Sequence, residues 1–495
     1  MRRLVSLLLV FLLSACSFPA PGSANSPATA SPIPPNPITV TTNPVPLNSV
    51  SATSSASQAS GPLQFSLVNG STQKVCQLTG DKDWETNQPT AAKTFTNFGL
   101  DAVDLGYPVE MGNKLILLFG DSWPSTHPQT STPAQSEVPP DDSVGFTTRT
   151  TPPDSQSCLD LVINHNSAGK FIPPTIVGPV KVNQGYFNVP SGGVDVAGKL
   201  FAFFWTNHCT DPVVLSPAPL HPLAFPAPGA CPETIARSSL GRGVLAQSGD
   251  GGLTFSQVVT LPAGFVYATA VNTNLQADIP AGQRLGILIF GVPRYRASIP
   301  YLAYAPAQTF SDPATWRFFS GLDAGGRPRW VDSPAWQQGA ASPAAWTPPG
   351  RPEIFNAQSD ADRCIGEFSI TWNTVLDRWL LVYGCHGEVD ARVAPAPWGP
   401  WSVPVSLLNV NSATACRLVM VPAGCPNQRD FWPQDHPNGK FQAGGFYAPF
   451  VLNRYTSAEP GDAAVRKATI YWLVSPWNPY EVQVLRSTLQ LGPSS

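Results

Sequence analysis

Five strongly apolar nine-residue stretches recur along the chain: LILLFGDSW (115–123), LFAFFWTNH (200–208), LGILIFGVP (285–293), WLLVYGCHG (379–387) and IYWLVSPWN (470–478). Their starts lie 85, 85, 94 and 91 residues apart. A turn precedes each: Gly112-Asn113, Ala197-Gly198, Pro280-Ala281-Gly282, Val375-Leu376-Asp377 and Glu459-Pro460-Gly461. Before the turns stand further strand-like segments such as DLGYPVEM, SGGVDVA and GEFSITWN. Apolar runs bounded by turns predict strands buried on both faces, here in five hairpins. With 55 Pro and 40 Gly among 495 residues, long helices have little room. The 14 Trp, 25 Phe and 11 Tyr exclude wholesale disorder. A net charge of −3 leaves no basic footprint, so nucleic acid is not an expected partner.

Hairpins repeated five times without intervening helices predict an all-β fold, a five-bladed β-propeller with long loops, over residues 61–495. The period is nearly twice the usual 40–50 residues, so each blade must carry insertions. A pair of β-sandwiches would not give five regular repeats. SGDGGLTF (248–255) matches the S-x-D-x-G-x-T-[FW] Asp box, a turn motif of propeller blades, which makes Asp250 structural.

The N-terminus reads as an address. MRRLVSLLLVFLLSAC combines two arginines, an apolar run and small residues before Cys16. It is too short to span a membrane and has the form of a secretory signal. Leu13-Ser14-Ala15-Cys16 resembles a bacterial lipobox, which predicts signal residues 1–16, lipidation at Cys16 and an exported, membrane-anchored lipoprotein at the cell surface or in the periplasm. Residues 17–60 carry no charged side chain and are dominated by Pro, Ser, Thr and Ala, the composition of a disordered tether.

Eight cysteines follow Cys16, an even number that favours disulfides in an exported chain. Cys364 and Cys385 flank a predicted hairpin and would face each other near its open end. Cys209–Cys231 and Cys416–Cys425 would each close a loop, leaving Cys76–Cys158. No C-x-x-C pair exists, so no metal site is expected.

In a propeller, the first strand of each blade lines the channel and the second runs back antiparallel. One mouth of the channel should then gather Asp104 and Asp121, Trp205 and His208, Arg294, Tyr295 and Arg296, Glu367 and His386, and Tyr447 and Trp477. Asp104 and Asp121 are symmetric about the Gly112-Asn113 turn, which would put their Cβ atoms about 5 Å apart. Repulsion at that distance raises one pKa, so that one carboxyl acts as an acid while the other stays ionised. Glu367, across the channel, could be the general acid with Asp104 as base or nucleophile, or a structural partner for Arg296 or Arg294. Arg294, Tyr295, Arg296, His386 and Tyr447 are substrate-binding candidates, and Trp123 and Trp477 could stack on sugar faces. Carboxylates, arginines and aromatic platforms in one cavity suit sugar recognition and hydrolysis. DKDWETN (81–87) lacks the Gly and Glu of a calcium loop, HGEVD (386–390) is a weak metal site, and no G-x-S-x-G occurs.

KVCQLTGD followed by DAVDLGYPVEMGNKLILLFGDSW resembles the opening "LTG … TDLG … FGDTW" of a bacterial propeller family. That family was long labelled a domain of unknown function and includes endo-D-arabinanases. Further resemblance lies in VPSGGVDVAGKLFAFF, FGVPRYRASIPYLAYAP, GEFSITWN, YAPFVLN and YWLVSPWNPYEVQVLRS, so that it covers most of 70–491 in order. It implies a five-bladed propeller hydrolysing arabinofuranose polymers, with the paired catalytic aspartates on Asp104 and Asp121. The chain departs in reading AVDLG for GTDLG and DSW for DTW, and in Pro-rich insertions at 208–232 and 327–352. The expectation is an exported glycoside hydrolase cutting D-arabinan by two carboxylates, a monomer with a polysaccharide substrate and no cofactor. The alternative is a non-catalytic carbohydrate-binding lipoprotein on the same scaffold.

Overall fold

The computed structural model describes residues 63–124, 141–177, 189–206, 242–262, 264–293, 296, 298–332, 353–355, 363–419, 445–462, 464–476 and 479–493. Cys16, the stretch 17–60, Cys209, Cys231, Cys425, His208, Arg294, Tyr295 and Trp477 lie outside them. The described residues fall in one compact unit, 60–495.

Two strands open it, β1 (Leu63–Leu67) and β2 (Gln73–Gln77), followed by a short helix α1 (Thr94–Phe98). The first sheet is β3 (Leu100–Ala102), β4 (Leu105–Met111), β5 (Lys114–Pro124), β6 (Asp141–Thr147) and β7 (Val162–Ile163). The second is β8 (Thr175–Val177), β9 (Val189–Val196), β10 (Lys199–Thr206), β11 (Arg242–Ser248) and β12 (Thr254–Thr260). The third is β13 (Tyr267–Asn272), β14 (Ile287–Val292), β15 (Tyr301–Ala305), β16 (Arg317–Leu322) and β17 (Pro328–Asp332). The fourth is β18 (Phe368–Asn373), β19 (Arg378–Cys385), β20 (Glu388–Ala394) and β21 (Val405–Leu408), with α2 (Ala413–Val419) after it. The fifth joins β22 (Phe446–Val451), β23 (Ser457–Ala458), β24 (Arg466–Pro476) and β25 (Gln483–Pro493) to β1 and β2, which both pair with β25. The described fold is thus nearly all β, in five sheets.

Local chemistry explains these elements. Ala197 and Gly198 both take left-handed φ, 54° and 78°, which suits the twist of a two-residue hairpin turn between β9 and β10. Gly112 does the same between β4 and β5, with φ 59°. The third hairpin differs from expectation. Rather than a tight turn at 280–282, residues 273–286 form a long connection with short 3-10 turns, closed where Thr273 Oγ1 donates to the Gly286 carbonyl at 2.7 Å. A side-chain hydroxyl there supplies the closure that a two-residue turn would give. The Asp box forms the β11–β12 turn: Asp250 Oδ1 accepts from the Ser248 hydroxyl (2.7 Å) and from the amides of Leu253 and Thr254.

Both strands of the hairpins are largely buried, as β13, β18 and β22 show along their whole lengths. β14 is buried along its whole length, and Trp379 and Trp472 on β19 and β24 are fully enclosed. Burying such side chains contributes about 1.5–3 kcal/mol each. Strand β4 packs against β9, β9 against β13, β13 against β18, β18 against β22, and β22 against β4. The N-terminal ends of β4, β9, β18 and β22 therefore open on a shared space.

Two disulfides are present among the described residues, Cys76–Cys158 and Cys364–Cys385. Cys416 is also disulfide-bonded. Disulfides suit an oxidising compartment. No described helix is long and apolar enough to cross a membrane.

Candidate active site

A cavity of about 590 Å³ sits where those strand ends converge, within the size range of ligand sites. Asp104, Asp121, Arg296, Glu367, His386 and Tyr447 all line it, and so does Trp205. Trp123 packs against the core and is not among the described residues of the lining.

Asp104 stands between β3 and β4, and Asp121 lies on β5. Their register is not the simple opposition that symmetry about the turn predicts. A bulge at Gly106 shifts the β4–β5 pairing, so the Gly120 amide donates to the Asp104 carbonyl at 3.2 Å. The two side chains nevertheless meet through a third group. The Tyr480 hydroxyl lies 2.8 Å from Asp104 Oδ2 and 3.2 Å from Asp121 Oδ2. Tyr447 donates to the same Asp104 oxygen at 3.0 Å. Asp104 Oδ1 is buried with no hydrogen-bond partner among the described residues.

Burial drives the electrostatics. It pushes Asp104 well above the usual carboxylate range, with repulsion from Asp121 adding to it and the two phenols opposing it. Asp121 keeps partial exposure to the cavity, yet desolvation still raises it to about 7. The phenols of Tyr447 and Tyr480 go up as well, through burial and then the Asp104 charge, so both stay protonated and donate. A pair of this kind keeps one proton between its two carboxyls near neutral pH.

On the facing wall Glu367 is 3% exposed, and Arg296 Nη2 approaches its two oxygens at 3.3 and 3.5 Å. The Arg296 side chain is itself 53% exposed, and its guanidinium stands 5.7 Å from the Tyr447 ring centre. The Cys364–Cys385 disulfide also borders the cavity, next to His386. Because both sulfurs are bonded to each other, this cluster of Cys364, Cys385 and His386 offers no metal-binding thiolate.

Backbone strain gathers here. Leu105, Arg296 and Tyr480 line the cavity with φ of 63°, 54° and 66°, whereas the φ of 51° at His386 belongs to the two-residue turn that it forms with Gly387 between β19 and β20. Non-glycine residues rarely adopt this region, and they concentrate at functional sites where surrounding contacts hold them. Leu105 is held by its amide donating to Ser475 Oγ at 2.9 Å.

Tyr480, Gly120 and Ser475 escaped the reading of the sequence. Tyr480 lies beyond the last apolar stretch, in NPYE, where hairpin symmetry has no power to place it. DKDWETN proves structural: Asp81 accepts from the amides of Phe95 and Thr96 at the start of α1, and Asp83 pairs with Lys74 at 2.8 Å.

No curated protein matches the chain. Among solved structures, a protein of unknown function from Dyadobacter fermentans is 9% identical with TM-score 0.33, over 85% of this chain and 100% of its own. The native Bacillus subtilis arabinanase Arb43A is 10% identical with TM-score 0.30, over 78% and 94%. The parainfluenza virus 5 hemagglutinin-neuraminidase ectodomain is 9% identical with TM-score 0.26, over 77% and 66%. These likenesses are remote, and none bears on what this chain does. The model of the family described as "Domain of unknown function (DUF4185)" matches residues 90–486, and the chain belongs to that family.

Proposed function

We propose that the protein is a five-bladed β-propeller glycoside hydrolase, exported and lipid-anchored through Cys16, that cleaves arabinofuranosyl linkages in a cell-wall-type polysaccharide. The cyclic order of contacts from β4 through β22 and back supports the propeller, with one sheet per blade. The observation that carries the chemistry is the Tyr480 hydroxyl shared by Asp104 and Asp121 on the wall of the cavity. D-Arabinan as substrate rests on the resemblance of the LTG, DLG and FGD segments.

Two phenols donate to Asp104 Oδ2, which offsets part of the rise that burial and the Asp121 charge impose on it, and among the described residues one phenol reaches Asp121. Asp121, the half-buried member of the pair, borders the cavity and serves as general acid with the proton the pair shares. As the C1–O bond breaks, Asp121 gives that proton to the departing oxygen, and Asp104 stabilises the charge developing at the anomeric carbon. Asp104 then acts as nucleophile or activates water, according to the separation of the carboxyls in the bound complex. Glu367 is ion-paired with Arg296 on the cavity wall, and this pair contributes substrate hydroxyl contacts.

The test incubates the full chain with D-arabinan. Asp104→Asn and Asp121→Asn should each abolish oligosaccharide release and leave a folded protein. Saturable binding without new reducing ends would instead identify a carbohydrate-binding protein, and full activity in both variants would refute the assignment of the acids.

A further inference from the structure

Glu481 is a buried carboxylate that the chemistry above does not use. It is 4% exposed, follows Tyr480 directly, and is not among the described residues lining the cavity. Taking a carboxylate out of water is costly unless nearby donors compensate it. The compensation comes from the other end of the chain. Thr79, fully buried, donates its hydroxyl to Glu481 Oε2 at 2.7 Å and accepts from the Val482 amide at 2.9 Å. The Leu78 amide donates to the Val482 carbonyl at 2.8 Å. Gly80 completes the contact: its φ is +76°, and a Cβ there would stand 2.5 Å from Glu481 Oε1.

We infer that Thr79, Gly80 and Glu481 form a positioning clasp for Tyr480, fixing the hydroxyl that spans Asp104 and Asp121. This rests on the two-carboxylate reading of the site. Tyr480 has a left-handed backbone, φ 66°, a conformation that a tyrosine keeps only when its neighbours impose it. One side of that restraint is the Val103 amide donating to the Tyr480 carbonyl at 3.2 Å, one residue before Asp104. The clasp is the other side, acting on Glu481 and Val482. Both restraints act on the backbone that carries the phenol, whose hydroxyl stands 2.8 Å from Asp104 Oδ2 and 3.2 Å from Asp121 Oδ2. The Leu78-Thr79-Gly80 segment, more than 20 residues before the first aspartate, thus acts on the site through residues 480–482.

The experiment follows the carboxyl titration of ¹³C-aspartate-labelled full chain by NMR, alongside kcat on D-arabinan. A phenol donor stabilises the ionised pair, so Tyr480→Phe should move the midpoint of the pair up by roughly one pH unit. Thr79→Val keeps the side-chain shape and removes the hydroxyl; it should move the same midpoint up by roughly half a unit and lower kcat. Thr79→Ser should restore both. Gly80→Ala displaces Glu481 and should reproduce the shift, which decides the matter if Thr79→Val does not fold. A lowered melting temperature with an unmoved midpoint in whichever variants fold would make the clasp merely structural and overturn the inference. The titration needs no turnover, so a chain inert on arabinan whose midpoint still shifts would refute the hydrolase reading and leave the clasp standing.

Discussion

An ideal Cβ on Gly120 would stand 2.6 Å from Asp104 Oδ1, so β5 passes this carboxylate at a distance that only glycine tolerates. The same Cβ would meet Leu105 Cδ1 at 2.6 Å, which bars the side chain from escaping past that neighbour. Glycine at the centre of Phe119-Gly120-Asp121 thus sets where the deeper acid lies.

Gly120→Ala is expected to fold and to lose activity. Displacing a reacting group by about 1 Å costs roughly 10²-fold in rate. Steady-state kinetics on D-arabinan should show that loss in kcat, with KM changed far less. An unchanged kcat would mean that the Asp104 position is not critical.

The five-sheet plan was legible because each hairpin repeats one physical demand, an apolar strand beside a turn. Asp104 and Asp121 were legible for the same reason, since symmetry about Gly112-Asn113 brings the two ends of one hairpin together. The bulge at Gly106 was not, because a bulge depends on which backbone groups find partners, here the Leu105 amide and Ser475 on another sheet. Tyr480 was hidden for a related reason. It lies 359 residues from Asp121 in sequence, and its role depends on the fifth sheet meeting the first.

Arg296→Met separates binding from chemistry. It leaves Glu367, 3% exposed, without the guanidinium beside it. Because the arginine is half exposed, the stability loss should be about 1 kcal/mol, well short of that for a fully buried pair. KM should rise several-fold with kcat nearly kept. A collapse of kcat alone would move Arg296 into the transition-state machinery.

The two observed disulfides should rank by the length of chain they close. Cys76–Cys158 spans 82 residues and Cys364–Cys385 spans 21, which in a chain-entropy account corresponds to about 4.5 and 3 kcal/mol. The shorter hairpin is also held by main-chain bonds, from the Gly366 amide to the Gly384 carbonyl and from the Gly384 amide to the Glu367 carbonyl. Denaturant unfolding of the paired serine variants should show the larger loss for Cys76→Ser/Cys158→Ser. The reverse order would mean that the crosslink at the cavity wall relieves more than chain entropy.

The acid pair also predicts how stability varies with pH. Asp121 is raised to about 7 in the folded protein, while the unfolded chain titrates near the ordinary value of about 3.9. Between those values the native state binds a proton that the unfolded state has released, so stability falls as pH rises through the window. The contribution is complete below about pH 4 and gone above about pH 7, and Asp104, also raised, acts in the same sense. Asp250 acts oppositely: the Asp-box donors outweigh its desolvation and hold it below its ordinary value, so its contribution is lost as pH falls. Calorimetry of wild type and Asp121→Asn across this range isolates the pair, since asparagine has no proton to exchange. The melting temperature of the wild type should drop more steeply with rising pH, and the variant should be the more stable of the two above about pH 7. Parallel curves would show that Asp121 titrates as a free carboxyl, and the acid assigned to the departing oxygen would have to be sought elsewhere.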